Sequence, residues 1–139
     1  MDVPSIEYHF FFMILPTLCI APSGKKGRGV FTTKNIAAHK IIEISPVIPL
    51  NRKDRKMVEK TRLSDYIFEW GKDHSKACIA LGYVSLYNHH APANCIYEMD
   101  FETELMYIKT TRAIKKGEEL FVNYHANPND DSAVWFQAK

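Results

Sequence analysis

Short apolar segments, broken at close intervals by glycine, proline and asparagine, are the feature that most limits what this chain can fold into. Leu18 to Ala21, Val30 to Thr33 and Ile41 to Ile44 are rich in aliphatic or β-branched residues and have the length of ordinary strands. Turn-forming residues follow most of these segments. The pattern therefore predicts a mainly β fold with short helices.

The second half of the chain gives the clearest strands. Apolar and acidic residues alternate from Tyr97 to Glu102, which predicts a strand with one buried face. Leu105 to Thr110 is the expected return strand of a hairpin. After a turn at Gly117, alternate residues from Leu120 to Tyr124 share one face of a final strand.

A helix is expected only in the middle of the chain. Asn51 to Leu63 contains helix formers behind a potential Asn51 cap, and its sparse apolar positions indicate a surface helix. Pro46 and Pro49 predict an edge strand or loop just before it. From Asn51 to Arg62 there are six basic and two acidic residues, a charge of +4 that is typical of a solvated face.

Composition limits the class of protein. The 139 residues fit one domain, and a net charge of +2 does not suggest extensive nucleic-acid binding. Three cysteines without a CxxC argue against a disulfide framework and a cysteine-rich zinc site, and favour a reducing compartment. The apolar run from Phe10 to Leu15 is too short to span a bilayer, which takes roughly 20 residues. We therefore expect a soluble, intracellular protein.

Three separated motifs carry the chemistry. The first is KGRGVF, in which Gly27 and Gly29 flank Arg28. Glycines allow a backbone to approach a ligand closely. A basic turn with no ligand would have the same sequence pattern. The sequence lacks the spacing of a phosphate-binding loop or of a dinucleotide-binding fingerprint.

The other two motifs are equally ambiguous alone. SLYNHHAPANC, from Ser85 to Cys95, places Asn88 and His89 in an apolar stretch, where burial demands hydrogen-bond partners from protein or ligand. His89 and His90 are also conceivable metal ligands, but no second cluster has metal-site spacing, so no metal is expected. AIKKGEELFVNYH ends a strand in Tyr124, a position usually occupied by core or interface residues.

Together, in this order and spacing, the motifs resemble the SET domain of protein lysine methyltransferases. That family has GxG near its start, then a motif close to RFxNHSxxPN, then GEELxxxY. Here they read GRG, SLYNHHAPAN and GEELFVNY. The resemblance covers roughly residues 13–135 and is closest to small stand-alone members without zinc-binding cysteines after the domain. It implies a fold of several small sheets of the β-clip type with a C-terminal pseudoknot, and use of S-adenosyl-L-methionine.

The resemblance also implies roles for individual residues. Tyr124 would be the central catalytic residue, and Tyr97 would join it in lining the lysine channel. Aromatic tail residues would cover the cofactor (Trp135) and the channel (Phe136). The cofactor itself would be bound by the residues of the first two motifs: Gly27, Arg28, Gly29, Asn88 and His89.

Some positions depart from the family pattern. Ser85 and Leu86 replace the usual arginine and phenylalanine, and Ala93 replaces the proline before Asn94. A channel tyrosine of some members falls near Ser45. These departures affect the shape of the channel and the degree of methylation more than the fold.

The resemblance implies residues 1–12 as an N-terminal extension, 13–127 as the SET domain and 128–139 as a tail. The implied partner is a protein substrate carrying a lysine, with a histone tail as a candidate. A homodimer is compatible with the sequence, whereas membrane or direct nucleic-acid binding is not expected. The implied location is cytoplasmic, or nuclear in a eukaryotic host. Two alternatives are a degenerate SET module that binds proteins without catalysis, and a basic nucleic-acid-binding domain, which the small net charge disfavours.

Overall fold

Ten strands and one short α-helix make up the described part of the chain. The computed structural model describes residues 12–124, apart from the side chain of Lys25. The strands are β1 (Met13–Ile14), β2 (Leu18–Pro22), β3 (Arg28–Thr32), β4 (Ile41–Leu50), β5 (Ile67–Trp70), β6 (Lys76–Ala80), β7 (Asn88–His89), β8 (Cys95–Asp100), β9 (Leu105–Thr110) and β10 (Glu119–Val122). The helix α1 spans Arg52–Val58. The mainly β class predicted from the sequence is confirmed.

The strands form two sheets. The larger has the order β5-β6-β4-β9-β8, and β1 also pairs with β4. The smaller has the order β2-β3-β10-β7, in which β7 and β10 are parallel. The expected hairpin is β8–β9, which pairs from Cys95 with Thr110 to Asp100 with Leu105. The expected final strand ends at Val122, so Tyr124 lies just beyond it.

The region of Pro46 and Pro49 corrects one prediction. Instead of an edge or loop, β4 runs continuously from Ile41 to Leu50 through the middle of the larger sheet. It pairs with β9 as far as Pro46 and with β6 from Val47 onward. Each proline therefore lies where β4 has a paired strand on one side, and a proline without an N–H is tolerated there.

The helix is shorter than its helix-forming sequence suggested. The Asn51 side chain caps it by accepting a hydrogen bond from the Asp54 N–H at 2.8 Å. A 3₁₀ turn at Arg62–Tyr66 then leads into β5. None of the residues of α1 is buried, as expected of a surface helix.

The main core cluster contains buried side chains from both sheets. Its largest fully buried side chains include Ile42, Met106, Ile108 and Leu120, with Tyr87 the largest. Each such side chain contributes about 1.5–3 kcal/mol by leaving water. Cys19, Cys78 and Cys95 are free thiols. No helix in residues 12–124 is long and apolar enough to cross a membrane.

Candidate active site

Four separate parts of the chain meet around one cavity of about 250 Å³. They are the glycine turn before β3, the 3₁₀ turn before β5, the segment leading into β7, and the residues after β10. The lining residues are Lys26, Gly27, Arg28, Asp65, Tyr66, Ser85, Leu86, Asn88 and Tyr124. All three motifs therefore contribute to one site.

The two motif glycines do different things. Gly27 has φ +81°, a backbone conformation that residues other than glycine rarely adopt. No atom lies within 4 Å of the position that a Cβ would occupy. Its backbone therefore faces open space at the cavity. Gly29 instead packs tightly, because a Cβ there would collide with the Glu119 carboxylate and come within 2.9 Å of the Asn88 amide nitrogen. Gly29 thus allows β3 to approach β7 and β10.

Asn88 joins the first motif to the third. Its side chain is buried and its Nδ2 donates to the Arg28 carbonyl at 3.0 Å and to the Glu119 carboxylate at 2.8 Å. Glu119 also accepts a short hydrogen bond from the Ser23 hydroxyl. The buried amide therefore has protein partners, and it fixes the glycine turn beside the end of the smaller sheet.

His89 supports Tyr124 instead of lining the cavity. Its Nδ1 accepts a hydrogen bond from the Tyr124 N–H at 3.1 Å, and the two rings lie 5.0 Å apart. The His89 carbonyl accepts from Lys26 Nζ at 3.2 Å. Among residues 12–124, no group of three His, Cys, Asp or Glu side chains is arranged to hold a metal ion.

Tyr124 and Tyr97 form a linked pair of partly buried phenols, which we call the tyrosine pair. The Tyr124 hydroxyl donates to the Tyr87 carbonyl at 2.9 Å, and the Tyr97 hydroxyl donates to the Tyr124 carbonyl at 3.1 Å. The Tyr97 ring meets Phe68 edge-on at 5.5 Å. Burial raises the pKa of both phenols to about 12, so both are neutral at physiological pH.

Charged side chains also line the cavity. Lys26, Arg28 and Asp65 line it, and we call these three the charged rim. Asp65 and Tyr66 belong to the 3₁₀ turn before β5, where the Ser85 hydroxyl donates to the Tyr66 carbonyl at 3.0 Å. No sequence motif marked this turn as part of a site.

The structure brings together most of the predicted site residues. Gly27, Arg28, Asn88 and Tyr124 line the cavity directly, while Gly29, His89 and Tyr97 support those that do. Lys26, Asp65, Tyr66, Ser85 and Leu86 also line it and were not predicted as site residues. Trp135 and Phe136 lie outside the described residues.

Comparison with known proteins agrees with this site. The SET domain family model matches residues 27–125. A histone-lysine N-methyltransferase of Schizosaccharomyces pombe, specific for lysine 37 of histone H3, is 34% identical over 126 residues, covering 90% of this chain and 80% of the relative. The crystal structure of a Plasmodium falciparum protein described as a candidate histone methyltransferase aligns with a TM-score of 0.62 and 27% identity, covering 80% of this chain and 95% of that one.

The family match spans most of the chain, and all three motifs contribute residues to one cavity, which Tyr124 also lines. The chain belongs to the SET-domain family of protein-lysine N-methyltransferases.

Proposed function

We propose that this protein transfers the methyl group of S-adenosylmethionine to the side-chain amine of a lysine in a protein substrate, with histone tails as the first candidates. The observation that carries the proposal is the convergence of Gly27, Asn88 and Tyr124 from three distant motifs on one cavity. The named activity of the S. pombe relative supports histones as the substrate class.

The cavity residues fit the methionine end of the cofactor. That end carries an ammonium, a carboxylate and a sulfonium, and the charged rim offers groups of both signs for them. The open space at Gly27 lets a ligand approach the backbone. The cavity of about 250 Å³ is a little below the ~300–1,000 Å³ of many small-molecule sites. The described walls therefore suit one end of this cofactor.

When bound, the cofactor supplies a methyl group that is already electrophilic, so neither a metal nor a covalent intermediate is required. The chain must instead align a neutral amine with that methyl group, which is catalysis by positioning. A free lysine has a pKa near 10.4, so it must lose its proton before it can react. Buried aromatic walls favour the neutral amine by desolvation.

We assign the orientation of the amine to the tyrosine pair. A phenol that donates its proton to a carbonyl, as Tyr124 does to Tyr87, can accept an N–H on its oxygen. Because the pKa of each phenol is raised to about 12, the pair acts as neutral hydrogen-bonding groups and not as a phenolate base. No described residue is assigned as the general base.

Further roles remain proposals. Arg28 is proposed to bind the cofactor directly. Gly29 is proposed to contribute to cofactor binding through the backbone, and His89 through its contact with Tyr124. The proposed division of the chain is an N-terminal extension at 1–12, a SET domain at 13–127 and a tail at 128–139. From this tail, Trp135 and Phe136 are proposed to cover the cofactor and the lysine channel. A histone substrate would place the protein in the nucleus, and a homodimer is compatible with these roles.

The decisive experiment incubates purified protein with isotope-labelled S-adenosylmethionine and either histones or a cell lysate, followed by mass spectrometry of lysine-containing peptides. Labelled methyl-lysine in the parent reaction, and far less with Tyr124→Phe, is the expected result. If the protein binds S-adenosylhomocysteine but labels no lysine, the alternative of a catalytically inactive, protein-binding SET module replaces this proposal.

A further inference from the structure

A buried carboxylate lies behind the cavity wall in a place where strand pairing is irregular. Glu43, on β4, has no exposed surface, and neither has its neighbour Ile42. The pairing of β4 with β9 shifts register between Ile41 and Glu43. Such a bulge re-aims side chains, and here it turns a carboxylate into the core.

The Glu43 carboxylate is held by several donors. Its Oε2 accepts from the Ser45 hydroxyl at 2.6 Å and from the Tyr83 N–H at 2.7 Å. Its Oε1 accepts from the Tyr87 hydroxyl at 2.9 Å. Gly82, with φ +67°, leaves just enough room, because a Cβ there would collide with Glu43 and Ser45.

This arrangement is expensive for a purely structural feature. Taking a carboxylate out of water is penalised by several kcal/mol, and hydrogen bonds offset the penalty only in part. Burial raises the pKa of Glu43 even though its hydrogen bonds oppose that shift. Apolar residues of similar volume would fill the same space without this penalty.

Glu43 binds both ends of one segment of the cavity wall. The Tyr83 N–H lies at the start of that segment and the Tyr87 side chain at its end, with the 3₁₀ turn Val84–Leu86 between them. Within the segment, Ser85 and Leu86 line the cavity. The Tyr87 carbonyl accepts the hydrogen bond of the catalytic candidate Tyr124.

We propose that Glu43 and Tyr87 are positioning residues for methyl transfer: the buried carboxylate anchors the Tyr87 side chain, so that the Tyr87 carbonyl holds the Tyr124 hydroxyl at the cavity. This inference rests on the proposed function of the site. Neither residue touches a reacting group, and both act through Tyr124.

The sharpest variant is Tyr87→Phe, which removes only the hydroxyl that meets Glu43 and keeps the carbonyl that meets Tyr124. We expect kcat to fall roughly tenfold, because a misplaced hydroxyl weakens transition-state contacts more than binding. The peptide KM and the affinity for S-adenosylhomocysteine should stay within about twofold of the parent values. Glu43→Gln, which exchanges one acceptor oxygen for a donor, is the second variant and should show the same selective loss.

Thr110→Val is the matched control. It removes a buried hydroxyl on β9 that donates to the Ala37 carbonyl at 2.8 Å and does not line the cavity. Thr110→Val should lower the melting temperature about as much as Tyr87→Phe does. Its kcat, measured at a temperature where all variants are folded, should equal that of the parent.

A double-mutant cycle separates positioning from general weakening. In a Tyr124→Phe background the hydroxyl to be positioned is gone, so adding Tyr87→Phe should change the rate less than about twofold. An equal loss in both backgrounds overturns the inference, as does a Tyr87→Phe variant whose kcat stays within about twofold of the parent value. An inactive parent refutes the proposed function itself, whereas an active parent with a fully active Tyr87→Phe variant refutes only the positioning role.

Discussion

The charged rim lines the cavity and the tyrosine pair reaches it through Tyr124, but the two groups differ in exposure and chemistry. Arg28 and Asp65 of the rim are exposed, so solvent and salt screen their charges. Tyr97 and Tyr124 are partly buried and donate to backbone carbonyls, and burial raises the pKa of each to about 12. The difference teaches how the work would be divided under the proposed function: adjustable charges suit binding, and fixed neutral phenols suit alignment of the reacting amine.

The largest expected effect comes from removing the Tyr124 hydroxyl. Tyr124→Phe keeps the ring in its packed place, so fold and cofactor affinity should persist. The methylation rate should fall by roughly ten- to a thousandfold, about 1.4–4 kcal/mol of barrier. Single-turnover kinetics with saturating cofactor measure this step, and calorimetry with S-adenosylhomocysteine measures binding. A fully active variant would remove Tyr124 from its proposed role.

The sequence predicts the motif residues of the site better than it predicts their contacts. Gly27, Asn88 and Tyr124 were predictable because each sits in a motif whose order and spacing are distinctive. The contact of His89 with Tyr124 was not predicted, since it depends on the parallel pairing of β7 with β10. The close approach of Gly29 to Glu119 was not predicted either, since it depends on the pairing of β3 with β10. No local pattern announces a parallel pair between distant segments.

Residues outside the motifs were missed for a physical reason. Glu43 stands in the apolar run IIEIS, and a strand periodicity of two would send it to the opposite face from Ile42 and Ile44. The bulge and the burial of β4 on both faces place all three side chains in the interior. A lone acid inside such a run is a usable signal, but its partners Tyr83 and Tyr87 become visible only in three dimensions.

The second expected effect concerns stability at high pH and tests the burial of the tyrosine pair. The pKa of Tyr97 is raised from its ordinary 10 to about 12 in the folded chain, chiefly by burial and then by the charge of Glu69. Between these values the unfolded chain releases the proton while the folded chain keeps it. The contribution of the Tyr97 phenol to the free energy of unfolding is therefore complete below pH 10 and disappears as the pH rises toward 12.

A pKa raised from 10 to about 12 corresponds to roughly 2–3 kcal/mol in the free energy of unfolding. Urea unfolding at a series of pH values should show a smaller alkaline loss for Tyr97→Phe than for the parent. Thr110→Val, which removes a buried hydroxyl that does not ionise in this range, should keep the parental loss. Equal alkaline losses in Tyr97→Phe and the parent would mean that this phenol is solvated.

The smallest expected effect belongs to the charged rim. Asp65 is exposed at the cavity beside Lys26 and Arg28, and its carboxylate can attract the positive groups of the cofactor. Exposed ion pairs contribute about 0.2–1 kcal/mol, so Asp65→Asn should weaken cofactor binding by up to about fivefold. Added salt should reduce the difference, and kcat at saturation should not change, because the hydrogen bonds of the tyrosine pair are kept. The matched control is Asp73→Asn, which removes an exposed carboxylate that pairs with Arg52 at 3.5 Å and does not line the cavity.

Calorimetric titration with S-adenosylhomocysteine at low and high salt measures both variants. If Asp65→Asn instead lowers kcat and leaves affinity alone, the rim takes part in alignment and the division of work between rim and pair is wrong.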